Sequence, residues 1–327
     1  MIRLAFVGLG WWGKELGIAA QILSSKISFG GCYSLSKEEM REFSTKFETK
    51  SYNKFDEILL DPEINGVVLA TPHSQHADQI VKAASAGKHV FVEKPLALNT
   101  AAAKSAVKCC EDHDVILAVG HNRRFSPAAK ELSKWISKNR FGQLLHVEAH
   151  FSGNSATHFD KTNWRADRQE SPCGSLVSIG LHMIDTIQWL LGPIDKLSCI
   201  SKRKALTVDI DDITVALFEL KNGMTGTFAT SFATPTNSCL KIFGTNGSAE
   251  VQGDFTELIW KNGGDLIDQP SLPTTNTLIS EFEAFTEACS GKSNYPVTYA
   301  EAINNVAVIE AMTNSSSRGG DWVKIEF

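Results

Sequence analysis

The clearest chemistry in this chain is carried by Gly8-Leu9-Gly10-Trp11-Trp12-Gly13. It is a G-x-G-x-x-G pattern that follows the apolar run 2–8 and precedes a helical one. In that setting Gly8 permits a tight turn, Gly10 lets the backbone approach a pyrophosphate, and Gly13 lets the helix pack close to the strand. The pyrophosphate then rests on the helix N-terminus, where unpaired N–H groups and the helix dipole favour an anion. The glycines alone are a weak signal, and their place at the head of a strand–helix series points to dinucleotide binding. Trp11 and Trp12 are expected to pack over this turn beside the cofactor.

An acid at the end of the second strand bonds the adenosine ribose when NAD is preferred. Here that strand ends Cys32-Tyr33-Ser34 and continues Leu35-Ser36-Lys37. Ser34, Ser36 and Lys37 offer hydroxyls and one cation to a 2′-phosphate, although the usual arginine is absent. The cofactor reading is therefore NAD or NADP, with a slight lean to NADP. Thr71, Pro72, His73 and His76 follow another apolar strand, at the sheet edge where ligands bind in open α/β sheets. His73 and His76 are three residues apart with no third ligand in sight, so no metal is expected.

Elements able to position these residues alternate through the first 120 positions. Strands are expected at 2–8, 27–34, 66–70, 88–92 and 115–119, and helices at 12–23, 37–47, 55–60, 75–86 and 100–112. Continuous apolar strands separated by helices indicate a doubly wound parallel sheet, a Rossmann-type α/β domain. Beyond residue 121 the pattern changes. A helix at 127–138, a strand at 144–153 and a helix at 174–191 precede strands at 213–220, 225–232, 239–245, 248–252 and 256–261. Lys221-Asn222-Gly223-Met224 marks a hairpin. Helices at 277–289 and 299–313, a loop at 314–317 and a strand at 322–326 close the chain. This is an α+β domain on a mainly antiparallel sheet. The division reads 1–121 for the dinucleotide and 122–327 for the substrate wall.

Composition agrees with two buried cores: 327 residues, 43% hydrophobic and 21% charged. A net charge of −5 lacks the broad positive field that nucleic acid requires. The trio Lys202, Arg203 and Lys204 reads as a solvated turn. The cysteine count is odd, 7, with no C-x-x-C pair, which fits core thiols in a reducing, cytoplasmic compartment. No run reaches the roughly 18 apolar residues of a membrane helix, and the opening residues read as a strand rather than a signal peptide.

At Glu93-Lys94-Pro95 the sequence becomes specific. The stretch 66–98, with Ala70-Thr71-Pro72 and the Glu-Lys-Pro signature, closely resembles the Gfo/Idh/MocA oxidoreductases. The resemblance extends to Gly120-His121-Asn122-Arg123-Arg124-Phe125, Trp164-Arg165 and the helix holding Gly180-Leu181-His182 and Asp185. It implies a Rossmann domain joined to an open-sheet domain, with the nicotinamide in the cleft between them. It also implies sugar, polyol or inositol-like substrates, and homodimers or homotetramers formed through the sheet. Lys94 matches the lysine that lies near nicotinamide and substrate hydroxyl, its bond to Pro95 is commonly cis in the family, and Glu93 adjoins the cofactor. His182 matches the catalytic histidine.

Oxidising an alcohol sends a hydride to the nicotinamide and a proton to a base, a step that suits histidine. A nearby lysine stabilises developing charge on oxygen. Many members of the family carry an Asp four residues before this histidine, and here Ser178 stands in its place. Serine can orient a hydroxyl or relay a proton, but it is no carboxylate base. Asn122, Arg123, Trp164 and Arg165 are candidate contacts to nicotinamide, phosphate or substrate. Arg124 is expected in a salt bridge, and His146 and His150 in structural roles. The leading reading is an NAD(P)-dependent oxidoreductase. Ser178 leaves open a cofactor-binding sensor without turnover, and a third reading is an NAD-dependent glycosidase.

Overall fold

Five short apolar runs form one wholly parallel sheet: β1 (Ile2–Val7), β2 (Ile27–Tyr33), β3 (Gly66–Leu69), β4 (His89–Glu93) and β5 (Leu117–Gly120). β3 and β5 are buried along their whole length, as continuous apolar strands must be when helices cover both faces. The helices between them are α1 (Trp11–Ile22), α2 (Lys37–Lys46), α3 (Phe55–Leu60), α4 (His76–Ser85) and α5 (Thr100–Asp112). Strand order is β2-β1-β3-β4-β5. The chain therefore leaves β1 toward one side and returns on the other, which makes the carboxyl ends of β1 and β3 the topological switch point where ligands bind.

The computed structural model describes residues 1–326. They fall into two units, 1–122 with 276–303, and 123–275 with the chain from 304 onward. The return of 276–303 to the first unit is absent from a simple division at 121/122. Its cause is aromatic: Phe282 stacks on Phe91 at 4.8 Å between ring centroids, and Phe285 meets Phe91 edge-on at 5.7 Å. Tyr295 also donates its hydroxyl to the Val119 carbonyl at 3.1 Å.

The second unit starts with α6 (Pro127–Ser137) and β6 (Leu144–Ser152), then α7 (Leu181–Leu191). Strands β7 (Ile194–Lys202), β8 (Ile213–Leu220), β9 (Thr225–Ser231), β10 (Asn237–Gly244), β11 (Gly247–Gln252), β12 (Glu257–Asn262) and β13 (Asp265–Asp268) follow. After α8 (Thr277–Cys289) and α9 (Tyr299–Ser317) comes β14 (Val323–Lys324). The nine-stranded sheet runs β13-β12-β11-β10-β6-β9-β8-β7-β14. Only β6 and β9 pair in parallel; the expected hairpin joins β8 to β9. Along β8, buried residues alternate with Ile213, Val215 and Leu217, which are exposed, as is Ile200 on β7.

Three expectations are corrected. β7 and β13 form where no strand was read. The polar run 314–317 is the end of α9 rather than a loop, because Ser315 is buried and its hydroxyl accepts from Cys199 N–H at 2.8 Å and donates to the Asp321 carbonyl at 2.6 Å. The helix expected over 174–191 is two elements, a π-helical turn at Leu176–Gly180 and then α7.

Candidate active site

Every strand of the parallel sheet delivers a candidate residue at its carboxyl end. Gly8 follows β1 with φ +85°, and a Cβ there would lie 2.5 Å from the Ala70 carbonyl oxygen. The glycine loop therefore rests directly on the segment leaving β3. A Cβ on Gly13 would lie 2.0 Å from the Gly8 carbonyl, so the first turn of α1 closes onto the loop as the pattern requires. Gly10 is different: a Cβ there would meet only Glu39 Oε1, at 3.7 Å. The loop is thus packed at both ends and open in the middle, a cradle that suits a pyrophosphate on the amino end of α1. Trp11 is exposed and its ring lies 5.2 Å from that of Trp12.

Ser34 follows β2, but its hydroxyl donates to Glu39 Oε2 at 2.5 Å. Ser36 caps α2 by accepting from Glu39 N–H at 3.2 Å, and Lys37 is the exposed first residue of that helix. Both serine side chains thus engage the chain itself, which weakens the 2′-phosphate reading. Glu39, in the first turn of α2, has no counterpart among the residues expected from the sequence. The spacing Ser36-x-x-Glu39, a helix-start signature, marks where α2 begins but does not place its carboxylate at the strand end.

Thr71 and Pro72 follow β3, and the Thr71 hydroxyl donates to Gln79 Oε1 at 2.6 Å. His76 is fully buried, with Nδ1 2.7 Å from the Pro95 carbonyl and Nε2 3.0 Å from the Thr71 carbonyl. It braces the two loops against each other rather than lining an open surface. His73 is buried beside it, ring centroids 5.9 Å apart. Glu93 ends β4, buried, its carboxylate packed against Gly120 of β5. Lys94 follows, half-buried, and its bond to Pro95 is cis. Asn122 lies beyond β5 and donates its amide to Thr277 Oγ1 at 3.2 Å, an anchor for α8.

In the second unit, Ser178 lies inside the π-helical turn and His182 in the first turn of α7, 7% exposed. The chain enters through Cys173 and Gly174, at φ +51° and +56°. Gly180 is seated against Phe228, where a Cβ would lie 2.7 Å from the ring. The wide turn lets the chain reach that seat before α7 begins, so Ser178 and His182 do not have the simple α-helical spacing expected for them. π-turns of this kind recur at functional sites.

Asp185, one turn past His182, takes Arg124 in a two-pronged pair, Nη2–Oδ1 2.6 Å and Nε–Oδ2 2.9 Å, with both side chains 1% exposed. Asn305 donates to Oδ1 at 2.7 Å. This is the salt bridge expected of Arg124, and it holds α7 in place; Asn305 had no sequence signal. Arg123 pairs with Asp254 at 2.6 Å. Arg165 stacks over the Trp164 ring at 4.2 Å. Ala156, Ala166, Val208, Ile210 and Phe232 form a small core, on which Phe159, Leu206 and Ile179 pack. The loops around 153–168 and 203–210 are thereby tied to the π-turn that carries Ser178. His146 accepts or donates at Thr225 Oγ1, 2.8 Å away, and burial pushes the His150 pKa down.

A glycine cradle at the switch point of a parallel sheet defines a domain of the dinucleotide-binding class, and comparison with known proteins gives the family. The model of the oxidoreductase family with an NAD-binding Rossmann fold matches residues 2–121, and the GFO/IDH/MocA C-terminal domain model matches 129–250. The chain belongs to the Gfo/Idh/MocA family. The uncharacterized protein YMR315W of Saccharomyces cerevisiae is 31% identical, over 99% of both chains. Glucose-6-phosphate 3-dehydrogenase of Bacillus subtilis is 26% identical, over 80% of this chain and 75% of its own. Levoglucosan dehydrogenase, solved with NADH and levoglucosan, superposes with TM-score 0.90 at 21% identity, over 100% of each chain. The chain is an NAD(P)-dependent oxidoreductase of the kind that acts on CH–OH groups. Among the described residues, no helix is long and apolar enough to cross a membrane.

Proposed function

We propose that the chain transfers a hydride between a nicotinamide and a secondary alcohol or ketone of a sugar, polyol or inositol-like compound. The observation that carries this reading is the meeting of the Gly8–Gly13 cradle with the Thr71 segment, which His76 in turn ties to the Lys94–Pro95 turn. The bound nicotinamide would supply the hydride acceptor or donor. Residues 1–121 serve the dinucleotide, with Gly8, Gly10, Trp11, Trp12, Gly13, Thr71, Pro72, His73 and Glu93 forming or bracing its site. Residues 122–327 supply substrate contacts, with Asn122, Arg123, Trp164 and Arg165 as candidates. Lys94 polarises the substrate oxygen, His182 takes or returns the hydroxyl proton, and Ser178 orients a substrate hydroxyl.

Two further assignments belong to this reading. The exposed sheet face with Ile200, Ile213, Val215 and Leu217 is covered by a second copy of the chain, giving a homodimer or homotetramer. A monomer in sedimentation equilibrium at micromolar concentration would overturn that. All seven cysteines are free, and burial pushes the Cys110 and Cys289 thiols up to about 12, which keeps them protonated in a reducing, cytoplasmic setting.

The deciding experiment titrates cofactor into the protein and then offers a panel of sugars and polyols while reduced nicotinamide is followed by absorbance. Substrate-dependent change supports the assignment; binding without turnover across the panel favours a sensor. Lys94→Ala should lower turnover by roughly 10²–10⁴-fold while cofactor affinity stays within a few-fold. Turnover at the wild-type rate in that variant removes Lys94 from the chemistry.

A further inference from the structure

We propose that Glu39 is the residue that selects NAD over NADP, a carboxylate delivered to the ribose by helix α2 instead of by the end of β2. The inference rests on the dinucleotide reading of the first unit and extends it to the phosphate that separates the two cofactors.

β2 ends at Tyr33 and is followed by Ser34, so the strand offers no acid of its own. The next element supplies one. Ser36 caps α2 through the Glu39 N–H, which fixes Glu39 as the third residue of the helix. In the usual reciprocal cap, a glutamate at that position returns its carboxylate to the N–H of the capping residue. Here the Ser36 N–H is directed to Ser34 Oγ at 3.3 Å, and the carboxylate goes to Ser34 instead, with Oγ donating to Oε2 at 2.5 Å. Ser34 therefore holds the side chain back against the strand end. A carboxylate in the first turn of a helix is also favoured by the helix dipole.

The second oxygen is the informative one. Glu39 Oε1 accepts no hydrogen bond from any described residue, and it lies 3.7 Å from where a Cβ on Gly10 would stand. Gly10 is the glycine at which the backbone is open to the pyrophosphate. A half-buried acceptor thus stands between the open middle of the glycine loop and the end of β2, where the adenosine ribose must pass. A ribose 2′-hydroxyl can donate to Oε1. A 2′-phosphate brings acceptors and negative charge to the same oxygen and gains no donor there.

Two of the groups that might offset this repulsion are occupied. The Ser34 hydroxyl proton is spent on Glu39, and the Lys14 ammonium is paired with Glu42 at 2.5 Å. Lys37 remains exposed at the start of α2, a cation without a built seat.

The test is equilibrium titration of the full-length protein with NADH and NADPH, read by nicotinamide fluorescence and needing no turnover. The wild type should bind NADH roughly 10- to 100-fold tighter than NADPH. Glu39→Gln keeps the shape and the Ser34 bond but removes the charge, and should bring that ratio to within about threefold of unity, mainly by tightening NADPH. Ser34→Ala releases the carboxylate from its anchor and should lower the ratio as well, which keeps the test decisive if the glutamine variant fails to fold. A wild type that binds NADPH as tightly as NADH, or a ratio unchanged in the variants, overturns the assignment. Binding of neither nucleotide by well-folded wild type would overturn the dinucleotide reading itself, and the role of Glu39 with it.

Discussion

In the first unit Gly8, Ser34, Lys94 and His121 each follow immediately on the last residue of a parallel strand, and Thr71 comes two residues after one. In the second, Ser178 and His182 flank the junction between a π-helical turn and α7, on a segment that the buried Arg124–Asp185 pair pins from behind. The first arrangement is set by topology. Any parallel sheet brings its carboxyl edges together, so residues distant in sequence converge without special contacts. The second is set by packing, because a helix presents its side chains where its neighbours let it turn. A substitution in the first unit should therefore act on the dinucleotide, and one in the second on the alignment of the proton-handling histidine.

Five substitutions can break or sharpen that contrast. The largest effect is expected from Gly13→Val, whose Cβ would collide with the Gly8 carbonyl. Isothermal titration should detect no dinucleotide binding, whereas Gly10→Ala, with open space at Cβ, should keep the fold intact by circular dichroism. Next comes Asp185→Ala, which leaves the buried Arg124 charge without its counter-ion and should cost about 3–5 kcal/mol in urea unfolding. A loss below 1 kcal/mol, roughly the scale of an exposed pair, would mean that the pair does not hold α7.

Gly180→Ala is smaller in stability, about 1–3 kcal/mol for forcing a methyl against Phe228. Its diagnostic feature is a fall in turnover with cofactor affinity unchanged. A parallel fall in cofactor affinity would collapse the distinction between the units.

The smallest effect concerns His89, at the start of β4. Burial lowers its pKa, and its Nδ1 accepts from Ile116 N–H at 3.1 Å, which requires the neutral ring. The unfolded chain takes up this proton more readily than the folded one, so the contribution to stability is full above the ordinary value near 6.5 and is lost as pH falls below it. Unfolding free energy of the wild type relative to His89→Gln should decline between pH 7.5 and 5.5; no change in that difference would place the titration elsewhere.

Much of the first unit was legible because its signals are local. A glycine pattern between an apolar strand and a helix fixes its own geometry, and Asn222-Gly223 announced its hairpin in the same way. The ion pair expected of Arg124 is present, and the structure adds that both its partners are buried. What escaped was non-local. The serines at 315–317 favour loops by themselves, but β7 provides the backbone donors Cys199 N–H and Ser201 N–H that their hydroxyls satisfy inside a helix. Glu39 escaped because a half-turn of helix carries its carboxylate back to the strand end, a move that spacing along the chain does not display.

The sequence by itself determined the parallel sheet and the cradle at its switch point, since periodicity and glycine placement act over a few residues, and its Glu93-Lys94-Pro95 stretch carried the family resemblance. Only the tertiary structure decided which unit owns the segment 276–303, how the turn before His182 is wound, and which carboxylate stands beside Gly10. Each of those depends on atoms brought together from separate elements: Phe282 on Phe91, Gly180 on Phe228, and Glu39 on Ser34. Contact energies of that kind arise only once the sheet and helices already stand in place, so no local pattern can encode them.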